Sequence, residues 1–209
     1  MSFRREIKAT LSKSKLFQLI NWIYDQKGEI LYPERTINSV YFDNLNLNMY
    51  HQSVEGVLPR KKIRLRTYNS ENSLNEIKKK SSLEFKISSV EGRFKISKNK
   101  FLLNDKHFSI NDKDYGTCYP VLNVIYKRLY FKINNIRLTI DRDINYKVVK
   151  NYKIFPYIIR DNLNVVELKY QKTDLDQKVF DFFPFQFNRF SKYCRGIEFT
   201  QNKICDEII

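Results

Sequence analysis

Glycine is scarce in this chain. There are five in 209 residues, and neither GxxxxGK[ST] nor GxGxxG occurs. Backbone amides therefore do not cradle a nucleotide's phosphates, and side-chain cations must hold any phosphate that binds. Histidine is nearly absent. His51 and His107 stand in unrelated contexts, which argues against histidine-based catalysis or a histidine-rich metal site. Cys118, Cys194 and Cys205 are odd in number, widely spaced and without a CxxC pair. That excludes a disulfide framework and a zinc knot, and it suits a reducing cytoplasm. Ala9 is the single alanine amid abundant Lys, Asn and Ile. Codon bias inflates lysine for reasons unrelated to binding, so arginine placement is the better witness. No run of 18 apolar residues exists, and Met1-Ser-Phe-Arg-Arg-Glu lacks a signal peptide's apolar stretch. The expectation is a cytoplasmic chain without a transmembrane segment, able to dock at the inner face of a membrane.

What is present is a globular composition, 42% hydrophobic and 29% charged. Residues 1–209 are read as one well-buried domain. Lys and Arg outnumber Asp and Glu by 38 − 23 = 15. Such an excess predicts an anionic partner: phosphate chains, nucleic acid or a membrane surface.

The stretch Arg60-Lys-Lys-Ile-Arg64-Leu-Arg66-Thr alternates. Arg60, Lys62, Arg64 and Arg66 share one face of an extended strand, and Ile63 and Leu65 lie on the other. Four cations on one face repel unless an anion sits opposite. Similar units recur: Glu6-Ile-Lys8, Glu84-Phe-Lys86, Tyr126-Lys-Arg128, Arg137-Leu-Thr-Ile-Asp141 and Glu167-Leu-Lys169. Further strands are expected at Phe3–Leu11, Thr36–Asp43, Arg93–Ser97, Pro120–Lys132, Ile136–Asp143, Tyr146–Val149 and Asn164–Tyr170. Asn134-Asn135 marks a tight turn. Ser12 fits an N-cap for a helix with Leu16, Leu19, Ile20 and Ile23 in its stripe, stopped at Gly28 as C′. A short helix is expected over Asp174–Phe183 and a polar loop over Asn69–Lys80. Lys98–Tyr119 is hard to assign. About eight antiparallel strands with flanking helices fit an α+β fold built on a closed or nearly closed β-barrel.

The charged faces admit two arrangements. Charged residues are normally solvated around an apolar core. Inverted, the charged faces line the inside and the apolar faces lie outside, under the Leu16–Ile23 helix and the Val179–Phe183 stretch. Recurrence of the pattern, its arginines, and carboxylates placed beside cations favour inversion.

The ordered strings SVYFDNLNLNMY, G-x-x-x-RKKIRLRTY, LEFK, VIYKRLYF, IRLTIDRDINY, VVELKY and RFSKYCRG resemble the VTC domain of the triphosphate tunnel metalloenzymes, from about Arg4 to Gly196. The resemblance implies an eight-stranded antiparallel tunnel with a basic lumen that binds ATP and polyphosphate with Mn²⁺ or Mg²⁺. It implies catalytic cations at Arg64, Arg66, Lys86, Arg128, Arg137 and Lys192. Substrate contacts fall at Lys8, Tyr126, Lys169, Arg189 and Ser191, and metal ligands at Glu167 and Glu84. It allows a separate membrane-protein partner and makes nucleic acid a poor candidate. The superfamily's E-x-E-x-K opening is broken, because Arg4 replaces the first Glu. That weakens the two-carboxylate first-strand site of hydrolase and cyclase members.

Three functions follow. The first is polyphosphate polymerisation from ATP, and the second is hydrolysis of tripolyphosphate or a nucleoside triphosphate. The third is a catalytically silent polyanion or nucleic-acid binder.

Overall fold

The structure is a computed structural model and describes residues 4–68, 73–99, 101, 103, 108–171, 179 and 181–206. The strands are β1 (Arg4–Leu11), β2 (Glu29–Asp43), β3 (Arg60–Thr67), β4 (Ser82–Ser88), β5 (Arg93–Lys98), β6 (Ile110–Asp112), β7 (Gly116–Ile133), β8 (Ile136–Lys150), β9 (Lys153–Ile154), β10 (Ile159–Arg160) and β11 (Asn164–Gln171). The described helices are α1 (Lys13–Asp25), α2 (Asn48–Glu55), α3 (Leu74–Lys80) and α4 (Lys192–Asp206). The main strand order is β1-β11-β8-β7-β2-β3-β4-β5, with β6 on β7 and β9 and β10 on β8. β1 with β11, β11 with β8, β2 with β3, β3 with β4 and β4 with β5 pair antiparallel. The order ends at β1 and β5, so among the described residues the antiparallel sheet is not closed, and the expected closed or nearly closed barrel is not confirmed.

The chain divides into two compact units. The first holds Met1–Arg35, Tyr126–Ile144 and Asp161–Phe190, and the second holds Thr36–Ile125, Asn145–Arg160 and Ser191–Ile209.

In the first unit the period-2 rule sorts side chains cleanly. Ala9 and Leu11 of β1, Val166 and Leu168 of β11, Leu138 and Ile140 of β8, and Phe131 and Ile133 of β7 form one apolar face. Leu19 and Ile23 of α1 cover it, with Val179 and Phe183 in the same cluster. The alternate positions carry Glu6, Lys8, Glu167, Lys169, Arg137, Thr139, Asp141 and Arg128. That face is shielded too, because Asp141 is 0% exposed, Thr139 1% and Glu167 7%. The apolar side thus lies under a helix and the charged side is withdrawn from water. A sheet with a solvated charged face would show the opposite exposure.

The second unit repeats the arrangement. Ile63 and Leu65 of β3 are fully buried, and the side chains of Arg64 and Arg66 on the other face are only 15% and 10% exposed. Lys61 departs from the surface role its neighbours suggest. It is buried, and its ammonium holds Asp112 (2.8 Å) and Asp114 (2.7 Å).

Several expectations change in detail. Ser12 does cap α1, accepting from Lys15 N. Gly28 is not the C′ residue. Lys27 takes the left-handed conformation there (φ 55°), donating to Tyr24 O, while Gly28 N reaches back to Ile23 O at 2.8 Å. That is a Schellman ending. Gly28 is needed because a Cβ would meet Ile23 Cγ2 at 2.5 Å and Ile23 O at 2.9 Å. α3 occupies most of what reads as a polar loop. Ser73 and Glu76 form a capping box, and Leu74 and Ile77 are buried. β8 runs through the two strands expected separately, and α2 forms over Asn48–Glu55, where no helix is expected. Most of the helix expected at Asp174–Phe183, residues 69–72 of the expected loop, and His107 lie outside the described residues. Among the described residues no helix is long and apolar enough to cross a membrane.

Gly196 of α4 packs so closely that a Cβ would meet Leu122 Cδ2 at 2.5 Å and Tyr146 Cδ1 at 2.7 Å. Gly196→Ala is expected to cost about 1–3 kcal/mol in urea unfolding. Lys27→Gly, which relieves the left-handed position, is expected to add up to about 1 kcal/mol.

Candidate active site

The second unit gathers cations around one carboxylate. Glu84 lies opposite Arg64 in the β3–β4 register, and its side chain is 3% exposed. Its Oε2 accepts from Arg64 Nε (2.8 Å) and Nη2 (2.6 Å) and stands 3.7 Å from Arg66 Nη1. Its Oε1 faces Lys95 Nζ at 2.6 Å. Burial alone would push this carboxyl up, but Arg64 and Arg66 outweigh burial and bring it down to about 2. Arg64 also donates from Nη1 to Tyr41 Oη (3.0 Å), which β2–β3 pairing sets opposite it. For Tyr41 burial pushes the phenol up. The opposing fields of Arg64, Arg66 and Lys192 prevail and lower it to about 8. Arg66 Nε donates to Ser39 Oγ at 3.4 Å.

Beside them Lys62 Nζ donates to Ser191 Oγ at 2.8 Å and stands 5.9 Å from the centre of the Tyr193 ring. Tyr193 stacks on Tyr41 at 5.1 Å and donates to Asp43 Oδ2. Asp43 in turn accepts from Met49 N (3.0 Å) and Tyr50 N (2.9 Å) at the start of α2. Ser191 accepts from Cys194 N at 3.3 Å and caps the first turn of α4, where Lys192 begins the helix. Lys86 shares a face with Glu84, opposite Lys62 on β3 and Lys95 on β5.

The first unit holds a different constellation. Register sets Lys8 opposite Glu167 and Glu6 opposite Lys169. Lys169 Nζ stands 2.6 Å from Glu167 Oε1 and 3.6 Å from Glu6 Oε2. Lys8 Nζ stands 3.5 Å from Glu6 Oε1 and 4.0 Å from Glu167 Oε2, and it donates to Phe190 O. Two carboxylates are thus bracketed by two ammonium groups. Glu167 pairs in register with Thr139, and Lys169 with Arg137. Thr139 Oγ1 and Arg137 Nε are buried and find no hydrogen-bond partner among the described residues. Arg128 grips Asp141 with two parallel bonds, Nη2 to Oδ2 at 2.7 Å. Burial opposes the Arg128 charge, but Asp141 beside it prevails and holds the guanidinium well above its ordinary value. Tyr126 lies under Arg128, its ring centre 5.3 Å from the guanidinium carbon.

Twelve of the thirteen residues expected from the sequence therefore fall on these two charged faces or at the start of α4. Arg189 is exposed, in the segment before α4. Four partners were not among them. Lys62 shares the parity of Arg64 and Arg66 and was legible from alternation alone. Glu6 sits two residues from Lys8. Asp141 shares a charged face with Arg137 in the sequence but its partner Arg128 is not legible there, and Tyr41 carried no signal until pairing set it opposite Arg64.

Among the described residues no group of three or more His, Cys, Asp or Glu side chains is placed to hold a metal ion. Glu6 and Glu167 do offer hard carboxylate oxygens beside the orphaned Thr139 hydroxyl and Arg137 Nε. The carboxylates and the Thr139 hydroxyl are oxygen donors of the kind a divalent cation takes, whereas the Arg137 N–H suits a phosphate oxygen.

The sequence matches the model of the VTC domain over residues 3–201. The chain belongs to the VTC domain family. No curated protein matches it. A solved Bacillus halodurans protein, named as a candidate adenylate cyclase, resembles this VTC domain with a TM-score of 0.55 and 12% identity. The match covers 91% of this chain and 94% of that one. A candidate adenylyl cyclase from Hippeastrum, described with a dominant triphosphatase activity, gives a TM-score of 0.51 at 10% identity, covering 95% and 96%. At these identities the likeness is one of fold.

Glu84 is buried with a folded-state pKa below the unfolded value of 4.5. Its stabilising contribution is complete above that value and is lost as pH falls toward about 2. Glu84→Gln is expected to cost on the order of 3 kcal/mol at neutral pH, a gap that closes on acidification in denaturant titrations. Arg64→Gln should return the Tyr41 phenol toward 10, read by spectrophotometric titration.

Proposed function

We propose that this VTC domain is a divalent-metal-dependent phosphotransferase that moves the γ-phosphoryl of ATP onto the end of a polyphosphate chain. The observation that carries the proposal is the buried Arg137 Nε without a partner, on a face that also carries Lys8 and Lys169. A buried donor left unmade is costly, and a phosphate oxygen would satisfy it. The family match and the shared fold support the same chemistry.

Phosphoryl transfer asks the protein mainly for positioning and charge neutralisation. Arg64 and Arg66 bind phosphate oxygens as preorganised forks. Glu84 serves as their counter-ion rather than as a metal ligand, because both its oxygens are taken by cations. Arg137, Lys8 and Lys169 hold phosphates at the first unit's face. Arg128 is fixed by Asp141 and adds positive field over Tyr126. Lys86, Lys192 and Ser191 contribute from β4 and the start of α4, and Arg189 adds exposed charge. Glu167 would hold a divalent cation, Mn²⁺ or Mg²⁺, whose positive charge would offset that of the phosphates. Tyr41 bonded to Arg64 holds that guanidinium on its second side.

A second function is favoured by one observation. Glu6 and Glu167 are drawn together by Lys8 and Lys169, and paired carboxylates can orient a water for hydrolysis of a triphosphate.

Pure protein given ATP and Mn²⁺ or Mg²⁺ is expected to form long phosphate chains, resolved by gel electrophoresis. Arg137→Ala and Glu167→Gln should each slow chain growth by about a hundredfold or more while leaving the fold intact by circular dichroism. No chains under either metal, even with a pyrophosphate primer, would sink the polymerase. Orthophosphate release that Glu6→Gln abolishes would establish the hydrolase in its place.

A further inference from the structure

The run from Ile144 to Arg160 contains no Asp or Glu but carries Lys147, Lys150, Lys153 and Arg160. It folds back on itself within the second unit. Lys150 pairs with Lys153 across a turn in which Asn151 and Tyr152 are both left-handed (φ 49° and 58°). Ile159 then pairs with Tyr146. Phe155 N bonds to Val148 O, so the ladder ends there and resumes only at Ile159. Residues 155–158, Phe-Pro-Tyr-Ile, are the surplus, and they bulge outward. Phe155 is 44% exposed, Tyr157 50% and Ile158 43%, with Tyr152 at 43% on the turn. A contiguous apolar wedge ringed by cations is unusual on a solvated surface, where exposed apolar side chains are normally scattered.

We propose that this hairpin docks the protein on the negatively charged surface of a lipid bilayer. Lys147, Lys150, Lys153 and Arg160 face anionic headgroups, and Phe155, Pro156, Tyr157 and Ile158 enter the headgroup boundary. Aromatic side chains are suited to that boundary, with a ring in the apolar layer and a hydroxyl in the wet one. The wedge does not suit nucleic acid. Pro156 and Ile158 offer aliphatic surface, and Tyr119 and Tyr152, 6.5 Å apart and tilted by 46°, are not a parallel pair. The proposal is independent of the phosphate chemistry assigned above, so either can fail alone.

The test is sedimentation of the full chain with vesicles of phosphatidylcholine, with and without phosphatidylserine. Recovery is expected with the anionic vesicles, falling as salt rises. Lys147→Gln, Lys150→Gln and Lys153→Gln together should weaken it about a hundredfold, near fivefold for each charge. The same loss of charge at Lys13, Lys15 and Lys132, which lie outside the hairpin, should change it far less. Phe155→Ser with Ile158→Ser, exposed positions that leave the melting temperature unmoved, should also release the protein, whereas Tyr157→Trp should keep binding. Equal recovery with neutral vesicles, full binding by the triple-lysine or the double-serine variant, or equal loss from Lys13, Lys15 and Lys132 would overturn the proposal. So would capture of single-stranded RNA in place of vesicles.

Discussion

A guanidinium withdrawn from water calls for a carboxylate, and among the described residues Arg64, Arg66 and Arg128 have one, while the buried Arg137 Nε is left without a partner. Glu84 stands between Arg64, Arg66 and Lys95, and Asp141 is gripped by Arg128. Each acid is nearly or wholly inaccessible. Without them, rows of like charge on a shielded sheet face would repel one another. The acids fix where the cations point, and so they set the geometry that any incoming phosphate meets.

The two-sided sheet follows from that constraint. In the first unit α1 seals the apolar side with Leu19 and Ile23, while Glu6, Lys8, Glu167 and Lys169 satisfy one another on the other side. A helix therefore does the work that solvent exclusion by a second sheet does in a sandwich. The polar side keeps buried donors whose partners the protein does not provide. An arrangement satisfied in all but a few places is preorganised for a ligand, because little has to be rearranged when that ligand arrives.

Much of this was legible in the residues. Alternation in Arg60–Thr67, repeated E-x-K units and the Leu16–Ile23 stripe led to strands, helix and the inverted placement of charge. Parity is local, so a sequence reveals it directly. Pairing is not local. Nothing in the sequence around Tyr41 marks it as a partner of Arg64, and nothing around Asp141 says that Arg128 will grip it. α3 was missed although Ser73 and Glu76 are a legible capping signal, because the polar residues around them masked a two-residue stripe. Asp43, at the end of an expected strand, caps a helix, and its other partner Tyr193 lies 150 positions away.

Each compact unit is stitched from three stretches far apart in the chain, and β2, β7 and β8 pass from one unit into the other. During synthesis the first unit lacks its final segment until residues near Phe190 emerge, and the second waits for α4. Neither can be completed before those stretches have been made, so the growing chain carries unpaired strand edges until then, the condition in which slow closure and dependence on chaperones are expected.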